Sequence, residues 1–400
     1  MNIAFFSECY HPTLNGIVVS IDTFSQYLRR LGHRVHIHAP YYRGYHDDPP
    51  DVSRFPALRV PVVPQYPVPI PVGPRIAATF IHRRFDVVHT HSVFALSHVG
   101  ASLAERTDVP LVSTFHTMLL DYLHYTFVPE QMTRPFVANL IRRYCNHCDL
   151  MIVPTAQVSD FLRKLGVVTE IQPLPTGIDV EFIRGGDRER VRKALGLPLD
   201  RKLLLYVGRL AREKNVTFLV DAVMHVLREH PGVDFAMVGE GPLKDDIREQ
   251  VGASRLASRI HIVGGVSFEE VRDYYAAADI MTFASKTETQ GLVVGEAMAA
   301  GLPVVAVRAT GVSEFIASGE DGFLVDENPG AFVRTLSALL SSDSLRSSIS
   351  TRARCKAQQF SAEASARRLE KFYQVLIASR KDFLHGSPGK RWGDHGSAAA

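Results

Sequence analysis

KLLLYVGRLAREKNVTFLVDAVMHVLREH, residues 202–230, decides the fold. An aliphatic run of strand length stops at Gly208. A short charged loop follows, and then apolar residues recur at helical spacing over 215–230. An uninterrupted apolar strand that feeds a helix is the unit of a parallel sheet covered on both faces. The unit repeats downstream. DFAMVG (234–239), RIHIVGG (259–265), DIMTFA (279–284), LPVVAV (302–307) and DGFLVD (321–326) read as strands, with helices over 242–252, 268–278 and 291–300. It also repeats upstream, in NIAFF (2–6), RVHIHA (34–39), DVVHTH (86–91), PLVSTF (110–115), LMIVPT (150–155) and EIQPLP (170–175), with a helix over 20–32 closed by Gly32.

Two such series predict an α/β protein of two Rossmann-like, doubly wound domains, 1–177 and 178–360, meeting near TGIDVEFI (176–183). A chain of 400 residues suits two domains of roughly 150–200 residues each. SAEASARRLEKFYQVLIAS (361–379) reads as an amphipathic helix packing back on the first domain, and the Gly-, Ser- and Ala-rich tail 380–400 as disordered. Residues 49–74 carry nine prolines, which excludes a central strand and predicts a long irregular loop.

A net charge of +3 with 22% charged residues does not point to nucleic acid. The basic pairs Arg29-Arg30, Arg83-Arg84 and Arg142-Arg143 nevertheless all fall in the first half. No apolar run is long enough to span a bilayer. The N-terminus lacks a basic flank and reads as a strand rather than a signal peptide. Four cysteines suit a reducing, cytoplasmic setting. Cys145 and Cys148 form a CxxC, but no second ligand pair lies nearby, so they read as helix cysteines.

In open parallel sheets, ligands bind beyond the carboxyl ends of the strands. Four strand-to-helix loops are therefore candidates. In ECYHPTLNGIVVS (8–20), Gly16 could let backbone approach a phosphate or sugar, or could be a plain turn glycine. In GRLAREKN (208–215), Arg209 and Lys214 suit a diphosphate before a helix capped by Asn215, although a solvated loop fits equally. GEGPLKDDI (239–247) is either a site turn or tight packing. In SKTETQGLVVGEAMAAGLP (285–303), the amides of Thr289, Gln290, Gly291 and Leu292 open a helix and favour an anion. Glu288 precedes that helix, and Glu296 interrupts a stretch that otherwise reads as buried. Carboxylates accept hydrogen bonds from hydroxyls, so the pair suits a diphosphate carried between two polyol ends.

These motifs together with GVSEFIASGEDGFLV, DVVHTHSVF and STFHTMLLDYLHY resemble the retaining glycosyltransferases of family 4, of GT-B fold, in which two Rossmann-like domains face across a cleft. The resemblance spans about residues 1–375. TFHT…DY..HY and SKTETQGL are most similar to the branch of the α-monoglucosyldiacylglycerol synthases. Many relatives carry Gly-Gly where this chain has Asn15-Gly16; that branch also has Asn-Gly.

The resemblance implies a roster of roles. Arg209 and Lys214 would hold the donor diphosphate, Glu288 the sugar hydroxyls and Glu296 the ribose. Residues 289–292 would contact sugar and diphosphate through their amides. Gly16 would approach the diphosphate, His116 would lie near the reacting carbon, and the base would stack near Val263. His91, Tyr122 and Tyr125 would line the acceptor side. The expected reaction moves glucose from UDP-glucose to a lipid such as diacylglycerol, with retention, no metal and no cofactor, the nucleotide-sugar being a substrate. The same chemistry on a phosphatidylinositol-type lipid or a soluble glycoside, or nucleotide-sugar epimerisation, are the alternatives. Residues 118–144 mix aromatics, aliphatics and arginines. They read either as a face for an anionic membrane, placing the enzyme peripherally on the inner leaflet, or as core helices with a solvated side.

Overall fold

The computed structural model describes residues 1–13, 15–58, 67–70, 80, 83–120, 129–198, 200–309 and 311–384. It divides into two compact units. One comprises residues 1–177 with the described part of 362–400, the other Ile178–Ser361. Tyr122 and Tyr125 lie outside the described residues, as do parts of the proline-rich segment and of the tail.

In the first unit a parallel sheet runs in the order β3-β2-β1-β6-β7-β8-β9. The strands are β1 (Asn2–Phe6), β2 (Arg34–Pro40), β3 (Val52–Phe55), β6 (Val87–Thr90), β7 (Leu111–Thr114), β8 (Leu150–Val153) and β9 (Ile171–Pro173). Helices α1 (Gly16–Arg30), α2 (Ala95–Thr107), α3 (Glu130–Cys145) and α4 (Ala156–Lys164) connect them. Both sheet faces are buried, which is why the strands are mainly apolar, with a few buried histidines and hydroxyls among them. Ile3 and Phe5 pack on one side and Ala4 and Phe6 on the other.

The last helix, α13 (Ala362–Leu384), lays Ala366, Leu369, Tyr373 and Leu376 on the Ile3/Phe5 side. It runs past residue 380, where the sequence predicted a disordered tail to begin. Arg380 explains the extension, because its guanidinium reaches Asp108 at 2.9 Å and Asp149 at 3.0 Å.

The proline-rich segment also departs from expectation. Residues 52–55 hold no proline and form β3, paired with β2 alone at the sheet edge, where flanking prolines interrupt no ladder. β4 (Ala57–Leu58) and β5 (Val68–Pro69) make a small antiparallel pair. The CxxC is structural: both thiols are buried, and burial pushes the Cys145 thiol up to about 12.

The second unit repeats the plan, with strand order β12-β11-β10-β13-β14-β15. Its strands are β10 (Lys202–Val207), β11 (Val233–Val238), β12 (Ile260–Gly264), β13 (Ile280–Phe283), β14 (Val304–Val307) and β15 (Phe323–Val325). Its helices are α5 (Val180–Arg184), α6 (Arg188–Ala194), α7 (Val216–Glu229), α8 (Lys244–Gly252), α9 (Phe268–Ala277), α10 (Leu292–Ala300), α11 (Pro329–Ser341) and α12 (Asp343–Gln358). The order reverses between β10 and β13, and in the first unit between β1 and β6. Loops at such switch points diverge and leave a crevice.

Candidate active site

The R…K loop follows β10 and the TETQG loop follows β13, so both flank the switch point of the second unit. Backbone ties hold them together. The Glu213 carbonyl accepts from the Lys286 amide at 3.3 Å and from the Ser285 hydroxyl at 3.4 Å. Across this join the Lys214 ammonium donates to Glu288 Oε1 at 2.5 Å, with both side chains largely buried. Arg209 is more open and lies 3.6 Å from the buried Glu213 carboxylate. Lys214 and Glu288 thus form a pair across the two loops, and Arg209 stands at the head of the same R…K loop. Asn215 occupies the cap position of α7, but in the left-handed region and without a capping bond; its amide instead donates to Glu327 at 2.9 Å.

Gly291 occupies the N-cap position before α10, at φ +75°. Behind the turn, a Cβ on Gly311 would lie 2.5 Å from the Glu288 carbonyl, at φ +77°. Gly311, in GVSEFIASGEDGFLV, thus backs the turn that carries Glu288, a contact its local sequence does not signal. The GEGPL turn is tight packing: a Cβ on Gly241 would meet the Leu210 carbonyl at 2.2 Å, and one on Gly239 the Gly208 carbonyl at 1.9 Å. These glycines press the second turn against the R…K loop. Thr289 is part-buried and Gln290 buried, and Leu292 begins α10. Beside them the Thr287 hydroxyl is buried with no partner among the described residues.

Glu296 lies just over one turn into α10, 8% exposed, and accepts from the Tyr275 hydroxyl at 2.7 Å. Burial raises its pKa, and the Tyr275 bond lowers it by less. Tyr275, on α9, was missed because nothing in the sequence links it to a residue on the next helix. Val263 sits near the end of β12, two strands from β10 and apart from the Lys214–Glu288 pair.

In the first unit Gly16 is the exposed first residue of α1, and Asn15 caps that helix by accepting from the Ile17 and Val18 amides at 3.0 Å. Glu8, after β1, accepts from the Leu96 amide at 2.6 Å and ties the switch point to the start of α2. His91 and His116 follow the neighbouring strands β6 and β7, and their facing nitrogens are 3.0 Å apart.

Comparison with known proteins identifies the chain. Residues 14–182 match the model of the family described as Glycosyltransferase Family 4, and residues 187–356 that of Glycosyl transferases group 1. An α-monoglucosyldiacylglycerol synthase of Acholeplasma laidlawii is 28% identical over 397 residues, covering 94% of this chain and 98% of that protein. A D-inositol 3-phosphate glycosyltransferase of Corynebacterium jeikeium is 33% identical over 309 residues, 73% of each chain. Among solved structures, Anabaena HepE in complex with UDP-glucose superposes with a TM-score of 0.73 at 20% identity, over 94% of this chain and 99% of that one. The folds therefore agree, and the chain belongs to the family 4, group 1 glycosyltransferases of GT-B fold.

Proposed function

We propose that this glycosyltransferase moves glucose from UDP-glucose to a lipid acceptor, diacylglycerol, with retention at the anomeric carbon and without a metal ion or cofactor. The observation that carries the donor half is the Lys214–Glu288 pair at the switch point, with Arg209 at the head of the same loop. The cations suit a diphosphate and would stabilise the departing nucleotide, the role a metal plays elsewhere. Glu288 suits sugar hydroxyls, and Glu296, one turn further on, suits the ribose. In front-face transfer the leaving phosphate itself takes the acceptor's proton, so no separate base is needed. HepE, captured with UDP-glucose, supports a UDP-sugar.

The acceptor rests on similarity to the Acholeplasma synthase over nearly the whole of both chains. A diacylglycerol acceptor would be met at a membrane surface, and peripherally, since no helix among the described residues is long and apolar enough to cross one. The higher identity to the Corynebacterium enzyme favours a second reading, with an inositol phosphate as acceptor.

A calorimetric donor panel followed by product analysis decides. With UDP-glucose and a membrane lipid extract, an α-glucosylated diacylglycerol is expected. Product on inositol phosphate alone would establish the second reading. An epimerised free sugar-nucleotide with no transfer would show an epimerase.

A further inference from the structure

Three histidines sit side by side at the carboxyl ends of β6 and β7, and their bonding specifies more than their presence. His89 and His91 are stacked, with ring centroids 4.5 Å apart and planes 20° from parallel. His91 and His116 are not stacked in that sense. Their planes differ by 19°, their centroids are 5.3 Å apart, and His91 Nδ1 is 3.0 Å from His116 Nε2. That centroid separation is as large as nitrogens 3.0 Å apart permit, so the rings lie nearly coplanar, edge to edge. One nitrogen must donate along that line and the other accept. His89 is pinned from both sides, by the Tyr373 hydroxyl at 2.5 Å on Nδ1 and the Thr114 hydroxyl at 2.6 Å on Nε2.

The far nitrogen of His91 settles the direction. Nε2 of His91 is buried with no partner among the described residues, and the residue is 1% exposed. If His116 donated to His91 Nδ1, the proton of neutral His91 would sit on Nε2, as a buried donor with nothing to accept it. Orphaned buried N–H groups are rarer than under-satisfied acceptors. The cheaper arrangement puts the His91 proton on Nδ1, donating to His116 Nε2, and leaves only a lone pair unused. Neutrality is supported by burial, which depresses the pKa of His116 to about 3 and that of His91 well below its ordinary value.

We propose that His91 is a positioning residue that locks His116 in the Nδ1–H tautomer, so that His116 presents a hydrogen-bond donor and not a base. The lock is independent of the transferase reading. What it deepens there, and what rests on that reading, is the role of His116, which would serve the reaction as a neutral donor and not as a base. Tyr373 carries α13 into the same arrangement through His89.

The full chain labelled with ¹⁵N-histidine tests the lock by long-range ¹H–¹⁵N correlation, with His91→Leu and His116→Gln assigning the signals. Protonated Nδ1 and bare Nε2 are expected on both rings; a protonated Nε2 on His116 overturns the proposal whatever the enzyme transfers. His91→Leu should lower kcat by about tenfold, the loss of one hydrogen bond, with donor KM little changed. His91→Asn places an amide donor where Nδ1 stood and should recover most of kcat. Equal loss in both variants, or none in either, counts against positioning. If no donor yields product at all, the transferase reading fails while the tautomer result still stands.

Discussion

Lys214 and Glu288 neutralise one another across the join of two loops, 2.5 Å apart. A diphosphate arriving there would draw the ammonium away, so the attraction grows as charge builds on the leaving phosphate. Lys214→Ala should therefore cut kcat by about 10²–10³-fold, the usual cost of removing one donor aimed at developing charge, while circular dichroism and the melting curve stay close to wild type. Near-normal turnover would remove Lys214 from the reaction. Glu296 carries the opposite tension, between stability and function. Its folded-state pKa is raised, mainly by burial. Such a carboxyl favours the fold below its unfolded pKa, and that contribution is lost as pH rises through the folded value. Glu296→Gln keeps an acceptor for Tyr275 and removes the charge. It should raise Tm at pH 7–8, flatten the loss of stability on the alkaline side of the carboxyl titration, and weaken donor binding about ten- to hundredfold by calorimetry, since a charged acceptor is lost. An unchanged donor Kd would separate Glu296 from the donor.

The elements around the site place these residues by close approach. Gly311 backs the turn that carries Glu288, at a left-handed φ and with no room for a Cβ. Gly311→Ala should cost about 1–3 kcal/mol for its backbone conformation alone and should lower kcat with it, because the turn must move. Denaturant melts and kinetics on one preparation check both; a neutral substitution would show that the turn is slack. The same scale shows what was legible in the sequence. The central strands were plain, because a parallel strand buried on both faces is an unbroken apolar run, as in Leu203 to Val207. β3 was hidden by its neighbours: prolines at 49, 50 and 56 bracket a four-residue strand that only the edge of a sheet could accept. The R…K and TETQG loops were readable as cationic and acidic turns after strands. Their contact was not, because Lys214 and Glu288 are 74 residues apart and meet only through the strand order. Tyr275 under Glu296 and Tyr373 under His89 escaped for the same reason, each being an ordinary helix tyrosine until the packing is known.

At the scale of the whole molecule, a net charge of +3 is modest, and its placement decides how the protein would meet a lipid acceptor. Helix α3 leaves Met132 and Phe136 at 70% and 71% exposure, four residues apart and so on one face. Arg143, seven residues beyond Phe136, is exposed on that same face with Arg142 beside it, whereas the exposed Arg134 lies on the opposite side of the helix. Single exposed apolar residues are common on soluble proteins, so the pair alone would mean little. Paired with arginines, it has the composition of a face that lies in the headgroup layer: each basic residue near an anionic surface is worth about 1 kcal/mol, and burial of a Phe or Met roughly 1.5–3 kcal/mol. The protein should float with vesicles containing phosphatidylglycerol, bind phosphatidylcholine vesicles weakly, and be released by high salt as the charges are screened. Met132→Glu with Phe136→Glu should weaken flotation at least tenfold, given the burial lost. The pair lies outside the proposed chemistry, so the double variant should lose activity on diacylglycerol in vesicles and keep it on a short-chain acceptor in solution. Equal flotation with both lipids, or parallel loss on both acceptors, would mean that α3 packs or folds the enzyme and does not deliver it to a membrane.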